Sequence, residues 1–445
     1  MGSSNVQLTD SHILKESLME FHNQVAFLKA CRKQYSKEFA KTGAKIGSTV
    51  NVRRPIRYQV QQGPAITPVG IVEDTVPLTL NRYWTIPMQF SSVERTLNID
   101  EFRKRYIVPA ISKMTSQMDL ECHAAAITGM YPTANSAGSY ACPGDGAVNQ
   151  VIGTPGTTVG TKGGSTTGLL QYNAPDIFLN AGMLLDNMCA PDDGNRHMIL
   201  NSASHASSIG ALAGLFNPQG IISEQYRKGY LGDALGFQFC KDQNVYTHTS
   251  GSRAISGNET VDVTGWAAGS TVAATFVFTA AAGDNGKTIA AGDSFTVAGV
   301  YAVNPDNQMN TGILYQFVCA TTVTLATGAN NVVVANPPNI AGPTTAYGDV
   351  VVVTSSATAA VVFTTGAAST SSPQNMAFHE AAFTLATADL PIDMPNCNAH
   401  RESSDGVSMR IVTGFDIRAD ETITRLDILG GFAVHRPEWC IRLAG

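Results

Sequence analysis

The stretch from Asn98 to Thr128 constrains this 445-residue chain more than any other. Asn98 followed three residues later by Glu101 has the spacing of a capping box, and Asp100 adds negative charge near the helix N-terminus. Phe102, Tyr106, Ala110, Met114, Met118, Cys122 and Ala125 recur at steps of three and four, which puts them on one face. Gly129 stands where a left-handed C-terminal cap would fall. About 30 residues rising ~1.5 Å each span on the order of 45 Å, far longer than an ordinary helix. The apolar stripe continues past Pro109, which predicts a bend there and not an end. The sequence on both sides reads as β. A lone long helix amid strands predicts a spine on which flat subunits are built.

Upstream, Leu14, Leu18, Phe21, Val25 and Leu28 step by four and three, an amphipathic helix with a narrow seam. Lys29, Arg32, Lys33, Lys37, Lys41 and Lys45 follow. The plainer reading is a solvated face whose cations suit a helix C-terminus; the other is an arm meeting an acidic partner or packaged nucleic acid. From residue 49 the period changes. Thr49 to Arg53 and Ile56 to Val60 read as short strands, with turns marked by Gly63-Pro64 and Pro68. Val76, Leu78, Leu80, Trp84, Ile86, Met88 and Phe90 then fall on even positions, a period of two over an unusually long strand. Pro77 and Pro87 exclude the middle of a sheet, so this ribbon is expected along an edge, as an arm that pairs with another chain.

After the helix, 130–168 is rich in Gly, Ser, Thr and Pro and predicts an extended excursion. Pro175 to Met188 reads as a helix, His197 to Leu200 as a strand and Ser202 to Leu215 as a second helix. Between 251 and 372 the basic residues are Arg253 and Lys287 alone, while Val, Ala, Thr and Gly dominate. Strands are expected at Thr275 to Thr279, Phe295 to Val303, Leu314 to Leu325, Val332 to Ala335, Val350 to Thr354 and Val361 to Thr365. Closely spaced short strands predict a small antiparallel barrel or sandwich inserted into the chain. Asn375 to Leu390 returns to the body. Val407 to Ile411 and Leu426 to Ile428 read as strands after an Asp405-Gly406 turn, and Trp439 to Leu443 as the last. Strands from the two ends of the chain are expected to share one sheet beside the long helix.

Composition removes several function classes. A net charge of −6 gives no electrostatic case for wrapping nucleic acid. Only 14% of residues are charged, which suits a surface partly covered by neighbours. Eight cysteines lack metal spacing, since Cys397 with His400 is half a zinc site at best, so reduced thiols are expected. No signal peptide or membrane span is expected, and Val6 stands where a myristoylation pattern needs Ser or Thr. Neither His-Glu-x-x-His nor Gly-x-Ser-x-Gly occurs. Ser204 and His205 are sequence neighbours whose side chains diverge on a helix. Asp192-Asp193 and His379-Glu380 read as plain solvated charge. Gly286-Lys287-Thr288 has Ala281 where a phosphate loop needs glycine. The sequence therefore asks for no catalytic residue, cofactor or metal.

Four stretches together resemble a known family: Asn98-Ile-Asp-Glu-Phe-Arg-Lys-Arg-Tyr-Ile-Val-Pro-Ala110, Gly153-Thr-Pro-Gly-Thr-Thr158, Asn375-Met-Ala-Phe-His-Glu-Ala-Ala-Phe383, and Arg425-Leu-Asp-Ile-Leu-Gly-Gly431 with Arg436-Pro-Glu438. Gly292-Asp293 leading into Phe295 to Val300 is similar to a strand of the inserted barrel. The order resembles tailed-phage major capsid proteins of the Hong Kong 97 fold, and more narrowly the P22-type coat proteins. The resemblance implies an α+β fold with an inserted antiparallel β-barrel. It implies an N-terminal arm (1–48), an extended loop (49–92), the spine helix with a peripheral-domain segment (93–170), an axial domain (171–250), the insertion (251–372) and a return to the axial and peripheral strands (373–445). It also implies an icosahedral shell of hexamers and pentamers, a scaffolding protein, a portal, a possible decoration protein and packaged double-stranded DNA, assembled in the bacterial cytoplasm. The competing class is a β-rich adhesin or receptor-binding module. For a shell, the expected contact residues are Trp84 and Ile86 on the ribbon, and Glu73 and Asp74 meeting Arg103, Lys104 and Arg105 of a neighbour. Those three cations oppose the macrodipole at their helix N-terminus.

Overall fold

The computed structural model describes residues 14–15, 17–21, 26–33, 49–54, 75–91, 108–129, 176–212, 232–253, 256–335, 337–341, 348–353, 357–364, 368–369, 371–393, 397–416 and 421–444. The chain divides into two units, taken in turn: one of residues 1–53, 75–123 and 383–435, the other of 54–74, 124–382 and 436–445.

The first unit is built on one long strand, Glu421–Val434, in a five-stranded antiparallel sheet. Along one edge it pairs with Val407–Asp416 and then with Phe383–Ala388; along the other it pairs with Arg82–Ser91 through ten residue pairs. Cys397–Ser404 pairs with Val407–Asp416 across Asp405 and Gly406, both at positive φ (47° and 74°) as a two-residue hairpin turn demands. The strand shared between chain ends is as expected. The ribbon is corrected. It breaks at Leu80 and Asn81 into Thr75–Thr79, which pairs with Thr49–Arg53, and Arg82–Ser91, which joins the sheet of its own chain. Pro87 is tolerated because Arg82–Ser91 pairs on one side only among the described residues. Gly431 lets the short ribbon lie close, since a Cβ there would sit 2.3 Å from the Thr79 carbonyl oxygen.

Helix α1 spans Val108–Gly129, and residues 98–107, Phe102 and Tyr106 among them, lie outside the described residues. Pro109 is therefore the second residue of the described helix, where its missing N–H forfeits no bond. Met114, Met118 and Cys122 are buried as the stripe requires, Ala110 and Ala125 are half-buried, and Ile111, Thr115, Asp119 and His123 are buried beside them. In the N-terminal segment Leu14, Leu18, Phe21, Phe27 and Leu28 are buried, while Val25 and residues 34–48 fall outside the description.

The second unit contains a six-stranded sheet in the order Cys440–Ala444, Ser371–His379, Arg196–Leu200, Phe237–Lys241, Asp233–Ala234, with Thr247–Thr249 on the start of Ser371–His379. Arg196–Leu200 and Phe237–Lys241 run parallel, the remainder antiparallel. Helix α2 (Asp176–Asn187) packs Phe178, Ala181, Leu184 and Leu185 against Met198, Leu200, Phe237, Phe239, Ile441 and Leu443. Asn201 caps helix α3 (Ser202–Leu212), its side-chain oxygen accepting the Ser204 N–H at 2.7 Å.

The segment 251–372, expected as an insertion, carries a seven-stranded antiparallel sheet. The six expected strands appear as Thr275–Ala280, Ser294–Val303, Asn310–Val318, Gly328–Val333, Val350–Val352 and Thr358–Phe363, and Ser256–Asp262 adds one the sequence hid. Among the described residues no continuous ladder closes a barrel. The two end strands, Asn310–Val318 and Gly328–Val333, meet at the single Cys319–Val334 bridge, where Ala320 N–H donates to Val333 at 2.8 Å and Ala335 N–H to Val318 at 2.9 Å. Phe276, Phe278, Phe295, Phe317 and Phe363 fill the interior. Met188, just beyond α2, belongs to that same core.

Candidate functional site

Three clusters of buried charge stand out among the described residues. The first sits at the root of the insertion around Asp293, which is fully buried. His248 Nε2 lies 2.9 Å from its Oδ1; the N–H groups of Ala290 (2.9 Å) and Gly251 (3.1 Å) donate to Oδ2, and Arg253 Nε lies 3.4 Å from it. Burial pushes this carboxyl up, but the His248 bond, the Arg253 charge and the Ala290 amide outweigh it and hold it at about 2. The Arg253 guanidinium rests 3.9 Å above the Phe363 ring. From the last strand Arg442 donates to the Gly292 carbonyl at 2.9 Å; burial brings its pKa down to about 10, partly offset by Asp293. Gly292 has φ +89°, which favours glycine, and a Cβ there would crowd the His248 ring at 3.2 Å. The cluster ties the entry segment, the first long insertion strand and the C-terminal strand together.

Beside it lies Glu259, 1% exposed, with neither carboxylate oxygen hydrogen-bonded; Asp284 Oδ2 is likewise unsatisfied, while its Oδ1 accepts from Lys287 at 2.6 Å. Burial, then the Asp284 charge, raise the Glu259 pKa against the weaker pull of Arg253 and Lys287. A raised folded-state pKa contributes stability that is complete below the unfolded value and disappears as pH rises through the folded one. Glu259→Gln is therefore expected to raise the melting midpoint at alkaline pH by about 2–4 °C per kcal/mol regained, and to flatten its fall as pH rises above the ordinary carboxylate value. Melting curves across that range check this. An unchanged pH slope would mean the carboxyl is not the titrating group.

The third cluster lies in the first unit. Asp427, fully buried in the long strand, accepts from Arg410 (2.6 Å), Arg425 (2.8 Å) and Thr85 (2.7 Å). Burial works against the Asp427 charge, but these bonds and one from Tyr83 keep its pKa below the usual carboxylate value. Arg425 and Arg410 also donate to the Tyr83 hydroxyl at 2.9 and 3.2 Å. Tyr83 and Thr85 lie on the odd-numbered face of Arg82–Ser91, so the network fastens that strand to the sheet.

The expected contact residues are placed unevenly. Trp84 is 6% exposed and donates from Nε1 to Glu121 of α1 at 2.8 Å, so its own chain covers it. Ile86 is half-buried on the same face. Glu73, Asp74, Arg103, Lys104 and Arg105 lie outside the described residues. Lys33, from the basic run, reaches Asp405 at 2.8 Å. Ser204 is bonded to Asn375 at 3.1 Å, not to His205. His379 and Asp193, far apart in sequence, meet at 3.1 Å. The seven described cysteines are all free thiols, and no three His, Cys, Asp or Glu side chains converge as a metal site among the described residues. No described helix is long and apolar enough to cross a membrane. Sequence reading missed Asp427, whose faint signal is a lone carboxylate between Leu426 and Ile428, and Asp293, which the Gly292-Asp293-Ser294 run disguises as an ordinary turn residue.

The family described as "P22 coat protein - gene protein 5" matches residues 148–445. No curated protein matches the chain in sequence. Among solved structures, one from Mycobacterium phage Che8 is 11% identical, covering 94% of this chain and 90% of its own at a TM-score of 0.43. The capsid structure of the cyanophage P-SCSP1u is 11% identical, covering 90% and 84% at 0.41. The capsid of Ralstonia phage GP4 is 9% identical, covering 91% and 85% at 0.36. Likeness this distant fixes neither function nor partner.

Proposed function

Because the chain belongs to the P22 coat protein family, we infer that it is the major capsid protein of a tailed bacteriophage, a subunit that acts by contact with copies of itself. The match over residues 148–445, two thirds of the chain, carries this reading. The finer plan is the Hong Kong 97 arrangement, with α1 as spine and the insertion as a barrel. The near meeting of the insertion's end strands at Cys319 and Val334, around one aromatic interior, supports the barrel. The shell is an icosahedral assembly of hexamers and pentamers built in the host cytoplasm on a scaffolding protein. It carries a portal, accepts a decoration protein and encloses double-stranded DNA without reading its sequence. Glu73 and Asp74 meeting Arg103, Lys104 and Arg105 remain a contact between copies, worth about 0.2–1 kcal/mol per exposed pair but repeated in every subunit. Electron microscopy of purified protein tests the assignment. Closed shells, rings or curved sheets are expected. A discrete monomer or trimer at high concentration would return the chain to the adhesin class.

A further inference from the structure

The face of Arg82–Ser91 that its own chain leaves open is the odd-numbered one. Tyr83 is 44% exposed, and Thr85, Pro87 and Gln89 are exposed beside it. In register, Gln89 lies against Ile423, Pro87 against Arg425 and Thr85 against Asp427. Paired residues of an antiparallel sheet share a face, so Glu421, Ile423 and Arg425 belong to this surface, while Asp427 on the same side is buried at its end. Its middle residue, Ile423, is 44% exposed. Ile392, also exposed, lies in the segment whose Pro391 carbonyl accepts from Arg410.

The order along the long strand is thus anion, apolar residue, cation: Glu421, Ile423, Arg425, each two residues from the next. Such a strip is complementary to itself. Turned by a twofold axis through Ile423, it sets Glu421 against Arg425 and Arg425 against Glu421, with the two isoleucines meeting on the axis. The Arg425 guanidinium is held ready: Nε is bonded to Asp427 and Nη2 to the Tyr83 hydroxyl, and its side chain remains 42% exposed. Glu421 is steadied by the Gln89 amide. An aromatic and an arginine fixed on an exposed sheet face, around an apolar centre, have the make-up of an interface anchor.

We propose that this strip is a contact between two copies of the chain, related by a local twofold axis through Ile423, with Glu421 of each copy paired to Arg425 of the other. The proposal rests on the coat-protein reading and names one surface through which the shell is joined. It also inverts the expectation for the ribbon, since the face carrying Trp84 and Ile86 is directed at the chain's own core.

The test uses the full chain, with the wild type assembled in parallel by sedimentation and electron microscopy. Wild type failing to form shells would count against the coat reading and not against the strip. Given wild-type shells, Glu421→Arg and Arg425→Glu are each expected to lower assembly at least tenfold in moderate salt, Glu421→Arg while melting as wild type. The double variant carrying both reversals is expected to restore shells, because every contact then holds the same two charges exchanged. Arg425→Glu also faces Asp427 and could fail to fold. Ile423→Asp and Glu421→Arg lie outside that network and decide the matter alone. Normal assembly of both, or folded single variants that fail together with a folded double variant that also fails, overturns the pairing.

Discussion

Replacing Asp293 with alanine is expected to cost about 3–5 kcal/mol, the usual penalty for removing one member of a buried charge pair. The carboxylate is what His248, Arg253 and two backbone N–H groups converge on, and Arg253 and His248 are themselves almost wholly buried. Without it, two cationic or polar side chains face an interior that cannot solvate them. The acid limb gives a second reading. Asp293 is held at about 2, below its ordinary value, so its contribution is complete above that ordinary value and is lost as pH falls toward 2. Wild type should lose more stability over that window than Asp293→Ala, which keeps only the acid loss owed to other carboxylates such as Asp427. Urea melts at pH 7 and pH 3 measure both effects. A loss under 1 kcal/mol at pH 7 would mean the root of the insertion is held by something else.

Phe27→Ala is the other large effect, at about 3–5 kcal/mol for an aromatic removed from a packed core. The ring is fully buried, with centroids 5.4 Å from His123, 5.4 Å from Phe383 and 5.8 Å from Phe432. Its neighbours fix the backbone as well. Leu28 N–H donates to Asp119 at 3.3 Å, Arg32 N–H to the Phe383 carbonyl at 3.1 Å, and Leu385 N–H to that of Arg32 at 3.0 Å. Burial holds His123 neutral down to about pH 3, so the pocket keeps its apolar character throughout the working range. Chemical denaturation of Phe27→Ala beside Phe27→Leu checks the assignment. The leucine variant keeps much of the volume and should lose less than half as much. Equal, small losses would place the ring outside the core.

Much of this fold was legible because helices and strands announce themselves by period. The α1 stripe, α2 and the insertion strands follow from three- and two-residue repeats, and Asp405-Gly406 from its turn chemistry. What periodicity cannot supply is the neighbour. Trp84 and Ile86 were correctly set on one face, but the partner of that face lies beyond residue 420 and on α1, so the same alternation suited an arm reaching another chain. Polar residues on buried faces were hidden for a related reason. Asp119 and His123 share the apolar stripe of α1, and only the arrival of Phe27 and Leu28 explains them. Ser256–Asp262 escaped because its polar residues include Glu259, buried without a partner for its charge. The insertion read as self-contained from its composition, yet Met188 completes its core and Arg442 grips its root, and both lie outside 251–372.

The long strand Glu421–Val434 also sets a clock. It is made long after the segments it covers, yet it supplies Phe432 to Phe27, and Ile428 and Leu426 as register partners of Trp84 and Ile86. At about 5–20 residues per second of synthesis, the early apolar segments wait on the order of 20–80 s for their cover. Closing contacts between opposite ends of a chain is slow in any case. During that interval each nascent subunit displays surface that is meant for itself and fits a neighbouring nascent chain nearly as well. Loss of soluble subunit is then governed by how many unfinished chains wait together, and a more stable finished fold does nothing to shorten the wait.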